Sequence, residues 1–176
     1  KGCENLVAHI ETVLKSGVRP VVCINHFHTD SRDEIALVRR VAGQHGALAA
    51  LSKHWLKGGP GACELAEAVM AACAEKRAFR YLYELDMPLR QRIERIAREI
   101  YGARGVVYSD AALEKVKAFE ADPETAALGT CMVKTHLSLS HRPQVKGRPH
   151  DWQLPIRDIL AYKGAGFLVP VSGDIK

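Results

Sequence analysis

"RPVVCINHFHTDSRDEIALVRRVAGQHGALAALS" (residues 19–52) changes character three times, and those changes decide the fold. It opens as an apolar run, "RPVVCIN", that reads as a buried strand. It then crosses a polar and aromatic cluster, "HFHTDS", and enters the amphipathic pattern "SRDEIALVRRVAGQHG", a helix with Asp30 or Ser31 as its N-cap and a glycine at its end. A second short strand, "ALAALS", follows. Upstream, "ENLVAHIETVLKSG" sets Leu6, His9 with Ile10, and Val13 with Leu14 on one stripe and stops at Gly17; downstream, "GACELAEAVMAACAEK" is another amphipathic helix. An α-β-α-β-α order predicts an α/β fold, with parallel strands joined by right-handed crossover helices. Sheets of this kind bind ligands beyond the carboxyl ends of their strands. Those ends are where "NHFHTD" and "SKHWLKGG" fall.

After about Glu75 the composition shifts. "DMPLRQRIERIAREIYGARG" predicts a long charged amphipathic helix with Pro88 in its first turn. There follow a strand "VVYS", a helix "DAALEKVKAFEA" and an apolar strand "LGTCMVKT". "SLSHRPQVKGRPH" (138–150) is basic and turn-rich: Pro143 and Pro149 block helix, Gly147 permits a turn, and Arg142, Lys146 and Arg148 are expected to face solvent. The tail "WQLPIRDILAYKGAGFLVPVSGDIK" alternates strand-like runs with glycines. The chain starts straight into a helix and stops at "SGDIK" without a cap, which reads as a segment of a longer protein.

At 176 residues, 47% hydrophobic and 26% charged, the composition is that of an ordinary soluble globular protein of one domain or two small ones. No run approaches the roughly 18 apolar residues of a membrane span, and "KGCENLVAHIE" lacks a signal-peptide core, so a cytoplasmic setting is expected. The five cysteines form no C-x-x-C pair, and three sit inside apolar patterns, which predicts small, reduced core residues. His26, His28 and His54 lack a recognisable metal-ligand spacing, so no metal site is assigned. The net charge of +5 arises from Lys and Arg mixed with acids along helices, the pattern of solvated helix faces and not of nucleic-acid contact. It also suits an anionic small substrate.

The two strand ends carry the chemistry. Asn25 offers a donor and an acceptor, as reading a base edge requires. A strand ending in Asn and a following strand ending in Ser52 resemble the base-recognition half of a P-loop nucleotide-binding domain, which makes Asn25 and Ser52 nucleotide-binding candidates. The phosphate loop of that fold, G-x-x-x-x-G-K-[ST], is not in the chain. Phe27 and Trp55 fall on the same two loops and either sandwich a flat heterocycle or pack beneath the second half of the chain. Lys57, Gly58 and Gly59, in "KGGPG", combine a cation with successive backbone N–H groups and are anion-binding candidates, or else a plain helix entry.

Taken together, "VVCINHFHTDSRDEI", "ALSKHWLKGGPGACELAEAV", "RIERIAREIYGARGVVYS", "CMVKTHLSLS" and "GAGFLVPVSGDI" resemble, in order and over nearly the whole chain, segments of the formate-tetrahydrofolate ligase family. The resemblance implies a C-terminal portion of such a protein. Residues 1–77 would end a P-loop NTPase-like α/β core, and residues 78–176 would form a smaller C-terminal α/β domain, truncated at its end. It further implies an enzyme that joins formate to tetrahydrofolate through formyl phosphate, using ATP with magnesium, with monovalent-cation activation and homo-oligomerisation in the full-length protein. An aromatic pair stacking on the pterin matches Phe27 and Trp55. The loop departs from the usual pattern at His26, where Arg is typical, and at His28, where Pro is typical, so polar contacts from those positions are not carried over. Catalytic residues are expected upstream. The segment alone is expected to be inactive, with neither nucleic acid nor membrane as a partner. The alternative is a non-catalytic pterin- or nucleotide-binding or oligomerisation module, which the residues upstream of Lys1 in the gene would distinguish.

Overall fold

The computed structural model describes residues 2–76 and 78–173 and separates into two compact units, one from Gly2 to Arg80 and the other beginning at Tyr81. Asp174, Ile175 and Lys176, the end of the "SGDIK" stretch, lie outside the described residues.

The first unit runs α1 (Gly2–Lys15), β1 (Val21–Asn25), α2 (Arg32–Gln44), β2 (Leu48–Ser52), α3 (His54–Lys57), a 3-10 turn (Gly59–Ala62) and α4 (Cys63–Ala74). β1 and β2 pair in parallel, Val21 opposite Leu48 and Asn25 opposite Ser52, with α2 as the crossover. A small apolar core forms where Ile10 of α1 meets Ala42 and Ala47, supported by Leu6, Leu14, Val22 and Ala49. Small side chains there let the helices approach the strands closely. His9 and Val13 of the expected stripe are exposed. At the end of α1, Gly17 takes φ 77°, and a Cβ at that position would collide with the Ala78 carbonyl. The returning segment is tied there: the Arg80 amide donates to Ser16 O at 3.0 Å, its Nε donates to Lys15 O at 2.8 Å, and Arg19 pairs with Glu75.

Two expectations about this unit change. α4 buries none of its side chains, and Val69 and Met70 are exposed, because a two-stranded sheet offers too little surface to cover a helix stripe. One of its acids is engaged nonetheless: Glu64 accepts from the Leu51 amide at 3.1 Å, on the side of β2 turned away from β1, and pairs with Arg39 at 2.6 Å. The cysteines are not the core residues expected: Cys23, Cys63 and Cys73 of this unit are exposed and Cys3 is half-buried, and Cys131 of the second unit is exposed as well. Apolar neighbours in sequence did not translate into burial because the faces that carry them are uncovered.

The second unit comprises α5 (Leu89–Glu99), β3 (Gly105–Tyr108), α6 (Asp110–Ala121), α7 (Pro123–Ala126), β4 (Gly129–Thr130), β5 (Gln153–Ile156), β6 (Asp158–Tyr162), a 3-10 turn (Lys163–Ala165) and β7 (Phe167–Val171). β3 pairs in parallel with β5; β4 pairs in parallel with β7, which is antiparallel to β6. The core is larger, with Leu89, Ile93 and Ala97 of α5 facing Ala112 and Val116 of α6 and Leu154, Ile156, Ile159 and Leu168 of the strands. The whole is an α/β fold with small parallel sheets. Pro88 is the N-cap of α5 and not part of its first turn; its ψ of 140° is extended. The "LGTCMVKT" strand shrinks to Gly129–Thr130 plus one bridge, Val133 to Val171.

Arg92 is fully buried in this core, and its guanidinium donates to Ala126 O at 2.8 Å and to Leu128 O. Ala126 ends α7 and Leu128 lies in the turn just beyond it, so the charge satisfies carbonyls that the helix itself leaves without a partner. Residues 138–150 form neither helix nor strand, and Arg142, Lys146 and Arg148 are exposed. Ser138, Leu139 and Ser140 are buried beneath them. The Lys134 ammonium organises the turn by donating to Thr135 O at 3.0 Å, to Ser138 O and to Ser140 O at 3.4 Å, over the Tyr101 ring at 4.7 Å.

Candidate functional site

Parallel register places the carboxyl ends of β1 and β2 side by side, Asn25 opposite Ser52, and the His26 amide closes the pair by donating to Ser52 O at 3.0 Å. Every candidate of the first unit therefore lies on one of two adjacent loops. After β1 the chain turns under local control. The Phe27 amide donates to Asp30 Oδ2 at 2.8 Å and the Asp30 amide to Phe27 O at 3.1 Å, a tight Asp-anchored turn. Ser31 then caps α2: its hydroxyl oxygen accepts from the Glu34 amide at 3.2 Å, and Glu34 Oε2 accepts from the Ser31 amide at 3.0 Å. Hydrogen bonds from Ser31 hold the Glu34 carboxyl below its ordinary value. Of the two capping candidates, Ser31 caps the helix and Asp30 shapes the loop that presents Phe27.

After β2 a different device operates. The Lys53 amide donates to Gly61 O at 2.8 Å, and a Cβ on Gly61 would run into the Lys53 carbonyl, so only glycine lets the loop fold back this closely. Between them, Gly58 takes φ 61° and ψ −146°, a conformation open to glycine alone. This double return pushes α3 outward. Trp55 is consequently 75% exposed, Leu56 is exposed beside it, and Phe27 on the other loop is 50% exposed.

Asn25 is exposed at the strand end, whereas Ser52 is fully buried and its hydroxyl sits 2.9 Å from His54 Nδ1. Lys57 and Gly59 are exposed; the Gly58 amide donates to His54 O at 2.7 Å and is engaged inside the loop. Composition could not foresee the Ser52–His54 contact, but the i, i+2 spacing across a strand end is a signal that could have found it. Among the described residues, no three His, Cys, Asp or Glu side chains converge as metal ligands, and no helix is long and apolar enough to cross a membrane.

Two flat, water-exposed rings on adjacent loops, flanked by an amide and a lysine, form a surface suited to a planar, partly anionic heterocycle. A sequence model of formate-tetrahydrofolate ligase matches residues 1–176, the whole chain. The chain belongs to the formate-tetrahydrofolate ligase family. Among curated relatives, the formate-tetrahydrofolate ligase of Desulfotalea psychrophila is 59% identical over 175 residues, covering 99% of this chain and 31% of the relative. That of Dehalococcoides mccartyi strain CBDB1 is 58% identical over 176 residues, 100% of this chain and 30% of the relative. That of Lawsonia intracellularis is 53% identical over 174 residues and 29% of its length. The chain thus spans about 30% of the formate-tetrahydrofolate ligases it matches.

Proposed function

We propose that this chain is the tetrahydrofolate-holding part of a formate-tetrahydrofolate ligase. Its first unit would be the end of a P-loop-type core, and the unit from Tyr81 a C-terminal domain. The observation that carries the reading is the exposure of Phe27 and Trp55 on the two loops beside the Asn25–Ser52 register. Solvent-facing aromatics of this size gain most from covering a flat ring, and a pterin offers such a ring.

In the proposed reaction a formate oxygen takes the γ-phosphoryl group of ATP, giving formyl phosphate and ADP. An amine nitrogen of tetrahydrofolate then attacks the formyl carbon, the carbon–oxygen bond to phosphate breaks, and the nitrogen loses its proton. The contribution of this chain is to hold the pterin plane between the two loops, so that the amine approaches the carbonyl in a fixed orientation. Asn25 is placed to read a nucleotide edge. Lys57 is placed to offset negative charge on a bound ligand. Magnesium and a monovalent activator belong to the same reading, but the side chains described here do not converge on a cation, and the chain has no phosphate loop to hold ATP. No step is assigned to either through these residues.

The test is a titration of the full-length enzyme with tetrahydrofolate and, separately, with ATP, for the unmodified protein and for Trp55→Ala. Selective loss of tetrahydrofolate affinity supports the assignment, and equal weakening of both ligands overturns it.

A further inference from the structure

The second unit contains a cavity of about 470 Å³ that the reading above does not use. None of its lining residues belongs to the unit carrying Phe27 and Trp55. Its wall combines Arg104, from the turn between α5 and β3, with Arg142 and His141 from the 138–150 connection and with His150, Asp151 and Trp152 leading into β5. The volume lies in the range of small-molecule sites.

Three features distinguish it from an ordinary surface groove. Neither Arg104 nor Arg142 is engaged in a salt bridge among the described residues, although arginines flank a common space. The Trp152 indole N–H and His141 Nδ1 are both buried with no hydrogen-bond partner, and a buried polar atom left unpaired is costly unless something fills the role. Their ring centroids lie 5.9 Å apart with the planes tilted at 41°, so two aromatic rings meet at an angle on the wall. The local field is positive: burial first, then Arg142 and Lys134, push the His141 imidazole below its ordinary pKa. One carboxylate, Asp151, opposes this set, and it is held at φ 54°, which is uncommon for a residue other than glycine.

Two exposed guanidiniums, Arg104 and Arg142, set against a single carboxylate leave an excess of donors and positive charge. We infer that the cavity walled by Arg104, Arg142, His141 and Trp152 binds the phosphate group of a small phosphorylated molecule. Guanidiniums match phosphate oxygens with paired N–H donors, and the Trp152 and His141 rings on the wall offer an apolar face for the rest of the ligand. Asp151 limits the affinity and favours a ligand that brings its own hydrogen-bond donor on the side away from the phosphate.

The test uses inorganic phosphate as the probe and the two tryptophans of the chain as reporters, because each gives one indole N–H resonance. The full-length enzyme, labelled with nitrogen-15 at tryptophan and with the Trp152 and Trp55 resonances assigned through Trp152→Phe and Trp55→Phe, is titrated with sodium phosphate against sodium chloride of equal ionic strength. The expected result is a saturable shift of the Trp152 resonance while that of Trp55 stays in place. Arg142→Gln and Arg104→Gln, on exposed side chains without ion-pair partners, should each raise the phosphate dissociation constant at least tenfold. Asp151→Asn should lower it several-fold. Citrate serves as the carboxylate arm, and tighter binding of citrate than phosphate would overturn the assignment to phosphate. Absence of a saturable shift up to about 10 mM phosphate, a concentration at which a site with a millimolar dissociation constant is largely filled, would overturn the site. So would unchanged affinity in both arginine variants, or weaker binding in Asp151→Asn.

Discussion

Trp55 and Arg92 show that a side chain's surroundings, and not its type, set what a substitution does. Trp55 is an aromatic residue left in water, so its loss should cost little folding free energy. Stacking contributes roughly 1–3 kcal/mol per ring for nucleobases, and by analogy for a pterin. Trp55→Ala in the full-length enzyme should therefore raise the dissociation constant for tetrahydrofolate by about five- to a hundred-fold. ATP affinity and the thermal midpoint should stay nearly fixed, and Phe27→Ala should do the same more mildly. Arg92 is the reverse case, a charge inside an apolar core. Arg92→Met deprives two carbonyls of their donor, and the expected loss is about 3 kcal/mol, measured by urea unfolding. A loss below about 1 kcal/mol would mean that water replaces the guanidinium. Lys134 adds a dependence on pH: half-burial lowers its pKa to about 8. The unfolded chain keeps the ordinary, higher value, so between the two it binds more protons than the folded chain, and stability rises with pH across that window. Unfolding free energies from pH 7.5 to 10 should climb in the native chain relative to Lys134→Met. Parallel curves would refute the assignment.

At the scale of elements, the start of α2 connects helix stability to the placement of Phe27. The turn made by Asp30 and the box made by Ser31 and Glu34 follow one another without a break. Ser31→Ala should destabilise by about 1 kcal/mol, the usual cost of a lost N-cap, and should weaken tetrahydrofolate binding slightly by loosening the loop before it. The Glu34 half of the box responds to acid. Its folded pKa is depressed, so its contribution is present above the ordinary carboxylate value and disappears as pH falls through the depressed one. Glu34→Gln should flatten the acid limb of the stability curve, and an unchanged limb would show that the box is idle in solution. α4 teaches the opposite lesson. Its helix forms from propensity and from Glu64, which ties it to β2 and to Arg39, while its apolar side chains stay uncovered.

For the whole molecule, the decisive quantity is coverage. The chain matches relatives from end to end while spanning about 30% of their length, and no phosphate loop occurs in it. Purified alone, it should form no formyltetrahydrofolate from ATP, formate and tetrahydrofolate. Turnover near the rate of a full-length ligase would mean that a nucleotide site had been overlooked among these residues. The second unit, with the larger core, should resist unfolding more than the first, which rests on three fully buried small or branched side chains in its central cluster. Hydrogen exchange should show slower protons in β5 and α5 than in β1 and α1.

The sequence alone determined the α/β order of the first unit and the family, and it narrowed the cap of α2 to Asp30 or Ser31. Each of these depends on local pattern: apolar period, capping chemistry, glycine placement, and runs of residues long enough to be specific. What only the tertiary structure decided depends on which faces find a partner. Cys23 and Cys63 sit in apolar runs yet are exposed, because nothing described here covers those faces. Ser52 ends β2 beside Asn25 with no local mark of burial, and it is parallel pairing and the return to Gly61 that bury it against His54. Arg92 is one of many charges in a charged helix, and no local signal separates it from Arg90 or Arg95. Its burial arises because the end of α7 and the turn after it meet α5 and present two carbonyls, Ala126 O and Leu128 O, that need a donor. Periodicity and capping act over a few residues and are written in the sequence; burial and pairing act between residues tens of positions apart, and only the fold brings those together.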